Sequence, residues 1–358
     1  MIDLLKNEVI MQDMKNIYSR NIPVEQLYHK SIMISGATGM LASYFCYYLI
    51  WLNEVKHADI TILALVRNLG KCQQVFGDYV NRDYFHKYTD SLAKELSISE
   101  PVDYIVHAAS MASPQYYRDS PVEVVIPNAV GTYHLLELAR KKQVKSFLYF
   151  SSGDIYGKMP NDVGEFSEEQ MGIMNPLDEH SCYGGSKRMG EIWCAAYARE
   201  YGVPAKIARI GHTYAPTMDV DKDPRVFASF MKCLLEKRDI VMLSDGTAKR
   251  PFCYIVDAIA GYLLILLEGK NGEAYNVVNN NQFLSIGELA DKLVTLVSEP
   301  KLKVIRRERV KDDFYMENNI NRQNLISAKK LQRLGWECQY DVLNGFGRVF
   351  KYLQKKHG

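Results

Sequence analysis

The sequence predicts an α/β protein: a doubly wound parallel sheet followed by a smaller C-terminal lobe. Three observations predict it. From residue 31 onward, short apolar runs alternate with stretches of helical spacing; a glycine-containing turn, Gly36-Ala-Thr-Gly39-Met-Leu-Ala42, joins the first run to the first helical stretch; and beyond about residue 211 the alternation loosens. Continuous apolar runs suit strands buried on both faces, which is the condition of a parallel sheet covered by helices.

The opening "MIDLLKNEVIMQDMKNIYSR" carries Asp3, Glu8 and Asp13 among its apolar residues. It therefore lacks the unbroken apolar centre of a signal peptide and reads as an amphipathic helix within an N-terminal extension, residues 1–30. "SIMISG" (31–36) is the first buried strand, and "MLASYFCYYLIWLN" (40–53) the helix after it. "ITILALVR" (60–67), "VDYIVHAAS" (102–110), "SFLYFSS" (146–152) and "AKIARI" (205–210) are further strands, with "VVIPNAVGTYHLLELARKK" (124–142) as a crossover helix. Alternation of this kind belongs to right-handed βαβ units, so residues 31–210 form the main domain. "TYAPTMDVDKDPR" (213–225) reads as loop; Ser285 and Glu288 form a capping-box signature, and Leu331, Leu334 and Trp336 mark a short helix ending at Gly335. Residues 211–358 are thus mainly a C-terminal lobe, with some chain crossing back.

Composition narrows the function classes. The 358 residues are 47% hydrophobic and 24% charged, an ordinary globular mixture, and 44 basic against 42 acidic residues leave a net charge of +2 without a basic run. No electrostatic footprint for nucleic acid exists. The seven cysteines are scattered without a paired CxxC spacing, which fits reduced thiols in a cytoplasmic protein and offers no metal site. No run approaches the roughly 18 uncharged apolar residues of a membrane span.

Gly36 and Gly39 follow a strand and precede a helix, with Ala42 where a third glycine often sits. Glycine permits the tight turn and lets backbone amides approach a pyrophosphate, whose charge the helix N-terminus favours. The second strand ends "ALVRN", without the carboxylate that holds the adenosine ribose of NAD. Arg67, with Lys71 nearby, offers positive charge to a 2'-phosphate instead, so the cofactor is NAD or NADP. In "HSCYGGSKRMGE" (180–191), Tyr183 and Lys187 lie at i and i+4 on one helix face. A nearby ammonium stabilises a phenolate, which brings tyrosine towards the working range of a general base. Ser151 or Ser152, at the end of "SFLYFSS", is placed to hydrogen-bond the same substrate oxygen.

Together these motifs resemble the extended short-chain dehydrogenase/reductase family, specifically its nucleotide-sugar epimerases, dehydratases and decarboxylases, over residues 31–336. "HAASMASPQYYRDSP", "NAVGT", "SCYGGSKRMGE", "ARIGHTYAPTM" with Arg225, and "RPFCYIVDAIAG" carry the likeness, which is greatest to UDP-glucuronate decarboxylases, with dTDP-glucose 4,6-dehydratases next. The resemblance implies a Rossmann-like domain, a C-terminal substrate-binding lobe for the nucleotide sugar, and a homodimer built through a helix bundle. It implies cofactor contacts at Gly36, Thr38, Gly39, Met40, Arg67, Ala108, Ala109, Ser110, Asn128, Ser151, Tyr183 and Lys187. It implies catalysis by Tyr183, Lys187, Ser152 and Asp154, and substrate contacts at Tyr116, His212, Arg225 and Arg250. Tyr183 would take a proton from the C4 hydroxyl of the sugar, and the transient 4-keto sugar would then undergo elimination, decarboxylation, epimerisation or reduction.

The chain departs from the family at three points. Dehydratases carry Thr-Asp-Glu, and decarboxylases Thr-Ser-Glu, where this chain has Ser152, Gly153 and Asp154; Gly153 has no acid to give. His212 stands in place of a substrate-binding Asn, and Thr217 in place of an Arg, which removes a fork-shaped carboxylate donor. An NADPH-dependent 4-ketoreductase and a non-catalytic nucleotide-binding protein are the alternative readings of the same residues.

Overall fold

A computed structural model describes residues 4–160, 163–307 and 324–357. In chain order the strands are β1 (Ser31–Ser35), β2 (Thr61–Leu65), β3 (Phe85–Tyr88), β4 (Tyr104–His107), β5 (Ser146–Ser152), β6 (Glu165–Phe166), β7 (Ala205–Ile210), β8 (His212–Tyr214), β9 (Ile240–Met242), β10 (Lys249–Tyr254), β11 (Ala274–Val277), β12 (Phe283–Ser285), β13 (Val304–Arg306) and β14 (Leu325–Ile326). The helices are α1 (Glu8–Tyr18), α2 (Met40–Lys56), α3 (Leu69–Phe76), α4 (Pro114–Asp119), α5 (Pro121–Val125), α6 (Gly131–Lys142), α7 (Ser181–Glu200), α8 (Val226–Leu235), α9 (Ile255–Glu268), α10 (Ile286–Leu293), α11 (Lys329–Gln332) and α12 (Val342–His357).

Seven strands form one parallel sheet in the order β3-β2-β1-β4-β5-β7-β11. The winding reverses between β1 and β4, and a crevice at such a switch point lies beyond the carboxyl ends of the strands. Successive side chains on a strand point to opposite faces. Accordingly Ile32 and Ile34 of β1 enter a core shared with α2 and α9, while Met33 enters a second core shared with α6 and α7. This double burial is why the strand reads as an unbroken apolar run. All five apolar runs expected as strands are strands of this sheet. β3, with one buried residue in its "FHKY", is an edge strand; β11, from beyond residue 211, is the other edge.

On α1, Val9, Ile10, Asp13, Met14 and Ile17 are buried, spaced as one helical stripe. Asp13 is fully buried and accepts hydrogen bonds from Tyr254 Oη at 2.6 Å, from Arg348 Nε at 2.7 Å and from Tyr44. The carboxylate thus ties α1 to α2, β10 and α12, and burial pushes it up to about 6. Away from the main sheet, β8, β10 and β12 form a three-stranded sheet, and β9 with β13 and β6 with β14 form two pairs. The capping box at α10 is complete: Glu288 N donates to Ser285 Oγ at 3.1 Å and Ser285 N to Glu288 Oε2 at 2.7 Å. The short helix α11 precedes Gly335, whose φ of +91° ends the turn.

Candidate active site

The turn between β1 and α2 is held against the strands on either side. Gly36 N donates to Leu65 O of β2 at 2.9 Å, and Gly39 N returns to Gly36 O at 2.8 Å. Gly36 has φ +67°, and a Cβ there would lie 2.6 Å from Ala109 Cα, so no other residue fits. Ala109, with Ala108 and Ser110, forms the opposite wall. Its amide donates to Ser35 Oγ at 3.2 Å, and that hydroxyl also lies 2.7 Å from Nδ1 of the buried His107. Burial holds the His107 imidazole down at about 3, so the ring is a neutral strut beneath the turn. Thr38 is half-buried on the turn. Met40 opens α2, whose first amides receive no side-chain cap.

Asn128 lies in a π-helical turn, Ile126–Val130, that interrupts the run from α5 into α6. Such bulges re-aim side chains, and here the Asn128 amide donates to Val124 O at 2.9 Å and to Ser186 Oγ on α7 at 3.1 Å. Its buried Oδ1 and the buried Ser110 Oγ have no hydrogen-bond partner among the described residues. A crevice with a glycine turn that excludes any Cβ, uncapped helix amides and unsatisfied polar atoms fits a dinucleotide.

The motif residues meet at the end of β5. Tyr183, 8% exposed, hydrogen-bonds Ser152 through its side chain. Ser151, one position earlier, points the opposite way, its Oγ donating to Glu191 Oε1 at 2.5 Å. Of the two serines, Ser152 is the one that faces the tyrosine. Lys187 is buried, and its Nζ donates to Phe150 O at 2.6 Å, 5.9 Å from the centre of the Tyr183 ring. Burial pulls the ammonium down to about 7. The expectation that this ammonium brings the phenol towards neutrality is corrected for the ligand-free chain. Burial, then the charge of Asp154, push the Tyr183 phenol above its ordinary value; only the Ser152 hydrogen bond and the charge of Arg225 act the other way. Desolvation of the buried phenol is the largest of these effects.

Asp154 sits in the short helical turn after β5, where its amide donates to Ser152 Oγ at 3.1 Å. Tyr116 is 41% exposed, whereas its neighbour Tyr117 is 7% exposed and stacks on Tyr183, with ring centres 5.2 Å apart and planes 14° from parallel. Two adjacent tyrosines on a six-residue helix leave no period from which to tell the inner one. Arg225 bonds Asp223 through Nε at 2.9 Å and Thr213 O through Nη1 at 3.0 Å, and its Nη2 lies 3.4 Å from Met40 Sδ at the start of α2. It thus links β8 to the start of α2 beside the glycine turn. His212 pairs in register with Phe252, and Arg250 lies two residues before Phe252, so His212 and Arg250 share one face of the three-stranded sheet. Arg67 reaches across the crevice mouth, Nη1 3.6 Å from Met111 Sδ.

Sequence reasoning missed one buried unit entirely. Glu191, one turn beyond Lys187, accepts from Arg209 Nη2 at 2.7 Å and from Nε at 3.0 Å, and Arg209 Nη1 donates to Tyr156 Oη at 3.0 Å and Glu168 O at 2.6 Å. This pair joins α7 to β7 directly behind Ser151. Among the described residues no group of three or more His, Cys, Asp or Glu side chains is placed to hold a metal ion.

The geometry agrees with comparison to known proteins. UDP-glucuronic acid decarboxylase 3 of Arabidopsis thaliana is 30% identical over 316 residues, covering 88% of this chain and 86% of that protein. UDP-glucuronic acid decarboxylase 1 of Xenopus tropicalis is 28% identical, covering 91% and 73%. Among solved structures, UDP-glucose 4-epimerase of Thermotoga maritima with UDP-glucose superposes with a TM-score of 0.73 at 20% identity, covering 92% of this chain and all of that one. UDP-glucuronic acid 4-epimerase of Bacillus cereus in complex with UDP-glucuronic acid and NAD gives 0.72 at 20%, covering 91% and 99%. Residues 32–278, which hold the glycine turn, Ser152, Tyr183 and Lys187, match one family throughout, and this chain belongs to the NAD dependent epimerase/dehydratase family.

Proposed function

We propose that the chain binds a nucleotide sugar between the main sheet and the C-terminal lobe, oxidises it at C4 to a transient 4-keto sugar, and resolves the ketone in the same site. Convergence of Ser152, Tyr183 and Lys187 at the carboxyl end of β5, in the same parallel sheet whose β1 leads into the glycine turn, carries this reading. A nicotinamide dinucleotide, NAD or NADP, supplies the hydride acceptor when bound. Gly36, Thr38, Gly39 and Met40 would hold its pyrophosphate, Arg67 the adenosine end, Ala108, Ala109, Ser110 and Asn128 the opposite wall, and Lys187 the nicotinamide ribose. Tyr183 moves the proton at its phenol oxygen, with Ser152 holding that oxygen towards the sugar hydroxyl. Asp154, whose charge acts on the same phenol, is the acid or base for the second step.

On the substrate side, Arg225 and Arg250 supply cations for the diphosphate and His212 a sugar contact. Tyr117, stacked on Tyr183, shapes the pocket floor, and the exposed Tyr116 touches the sugar from its rim. Residues 31–210 would carry the dinucleotide and 211–358 mainly the nucleotide sugar. The decarboxylase relatives make UDP-glucuronic acid the first substrate to test. Thr217, where those enzymes' pattern has arginine, has a buried hydroxyl without a partner among the described residues and offers a carboxylate no cation. Incubation with UDP-glucuronic acid, UDP-glucose and dTDP-glucose, and separately with a nucleotide-linked 4-keto sugar plus NADPH, read by product analysis and nicotinamide absorbance, tests the reading. Conversion at unchanged absorbance supports the internal redox cycle; net loss of NADPH supports the 4-ketoreductase reading that Arg67 and Gly153 favour. No conversion or nucleotide-sugar binding in any of them refutes both.

We further infer a cytoplasmic homodimer. Among the described residues no helix is long and apolar enough to cross a membrane. Tyr133 on α6 and Met189 and Ile192 on α7 are 37%, 44% and 59% exposed, an apolar face suited to a second copy. Light scattering of the purified chain reads the mass directly, and a monomer at micromolar concentration refutes the dimer.

A further inference from the structure

We propose that the adenosine end of the crevice is built for a 2'-phosphate, so that this chain takes NADP(H) in preference to NAD(H), with Arg67 as the reading residue and Lys71 beside it. The inference rests on the dinucleotide reading above and deepens it.

Position comes first. Leu65, the last residue of β2, pairs in register with Ser35 of β1, and its carbonyl accepts from Gly36 N at 2.9 Å and from Ala37 N at 3.3 Å. The residues after Leu65 therefore flank the glycine turn, which is where the adenosine ribose of a bound dinucleotide sits. Val66 is buried, and its amide donates to Tyr88 O of β3 at 2.8 Å. Arg67 is the first exposed side chain, and its guanidinium lies over the mouth of the crevice against Met111 Sδ, on the loop that follows β4.

Charge comes second. A ribose with free 2'- and 3'-hydroxyls is recognised by an acceptor, ordinarily a carboxylate, which would repel a phosphate at the same place. Residues 66–71 read Val-Arg-Asn-Leu-Gly-Lys, and the first carboxylate after them is Asp78. Asn68, the one side chain there with an acceptor oxygen, uses it to cap α3, accepting from Lys71 N at 2.8 Å. The segment thus offers the diol no side-chain acceptor and offers a phosphate two cations. Among the described residues neither Arg67 nor Lys71 is paired with a carboxylate. A guanidinium fork matches phosphate oxygens bidentately, and its charge-assisted hydrogen bonds are the stronger kind.

The test is calorimetric titration of the nucleotide-free full chain with NADP+, NAD+, 2',5'-ADP and 5'-AMP. The expected result is NADP+ binding at least about tenfold tighter than NAD+, with 2',5'-ADP preferred over 5'-AMP by a similar factor. Arg67→Gln lowers NADP+ affinity by about tenfold or more and changes NAD+ affinity by less than about twofold; Lys71→Gln has a smaller effect of the same kind. Equal or tighter binding of NAD+, or an Arg67→Gln loss shared equally by both dinucleotides, overturns the proposal and leaves the dinucleotide site standing. Failure of all four ligands to bind overturns the site itself.

Discussion

Replacing Lys187 with methionine separates what the residue does for chemistry from what it does to the fold. Methionine keeps the length of the lysine stem and removes the ammonium. In the ligand-free chain burial pulls that ammonium from 10.5 down to about 7. At about 1.36 kcal/mol for each pH unit, this drop of about 3.5 makes the charged form about 5 kcal/mol less favourable in the folded chain than in the unfolded one. Loss of the hydrogen bond to Phe150 O offsets about 1 kcal/mol of the gain on substitution.

The sign follows from proton binding. Between about pH 7 and 10.5 the unfolded chain holds the proton that the folded chain has released, so wild-type stability rises with pH across that window. Lys187→Met removes this dependence. The variant is expected to be more stable than wild type by about 3 kcal/mol at about pH 6.5, and the difference to close by about pH 9.5. Urea unfolding of both nucleotide-free proteins at the two pH values measures it. A variant less stable at pH 6.5, or a difference that does not change with pH, would refute the assignment of a desolvated ammonium at this position.

Gly36→Ala forces a Cβ to 2.6 Å from Ala109 Cα at φ +67°, so it should cost about 1–3 kcal/mol of stability and abolish dinucleotide binding by calorimetry. Arg209→Met leaves Glu191 buried without its cation and should cost about 3–5 kcal/mol in urea unfolding. The double variant Arg209→Met/Glu191→Leu should recover most of that loss, and a strictly additive double variant would contradict a coupled pair.

What could be read from the residues depended on whether a pattern was local. The five apolar strands were legible because burial on both sheet faces writes itself as a continuous run, and Gly36 because strand, turn and helix follow one another directly. Tyr183 and Lys187 were legible as one turn of a helix. Edge strand β3 was not, since "FHKY" buries a single side chain and mimics a loop. Glu191 and Arg209 lie 18 residues apart on a helix and a strand, and each alone looks like a surface charge. Charge was legible and its surroundings were not: the spacing put an ammonium near a phenol, but only the fold reveals that both are desolvated and that burial and Asp154 hold the phenol above its ordinary value. Asp13 repeats the lesson: legible only as a charge that interrupts the apolar residues of α1, it lies within the buried stripe by which that helix docks.

The central claim is that the Tyr183 oxygen moves the proton of the sugar hydroxyl, and Tyr183→Phe removes that oxygen while leaving the ring stacked on Tyr117. The decisive measurement is turnover of the identified nucleotide sugar alongside its dissociation constant for wild type and this variant. The account predicts a fall in turnover of about 10²–10⁴-fold with binding changed by less than about threefold. Turnover within a few-fold of wild type would contradict it.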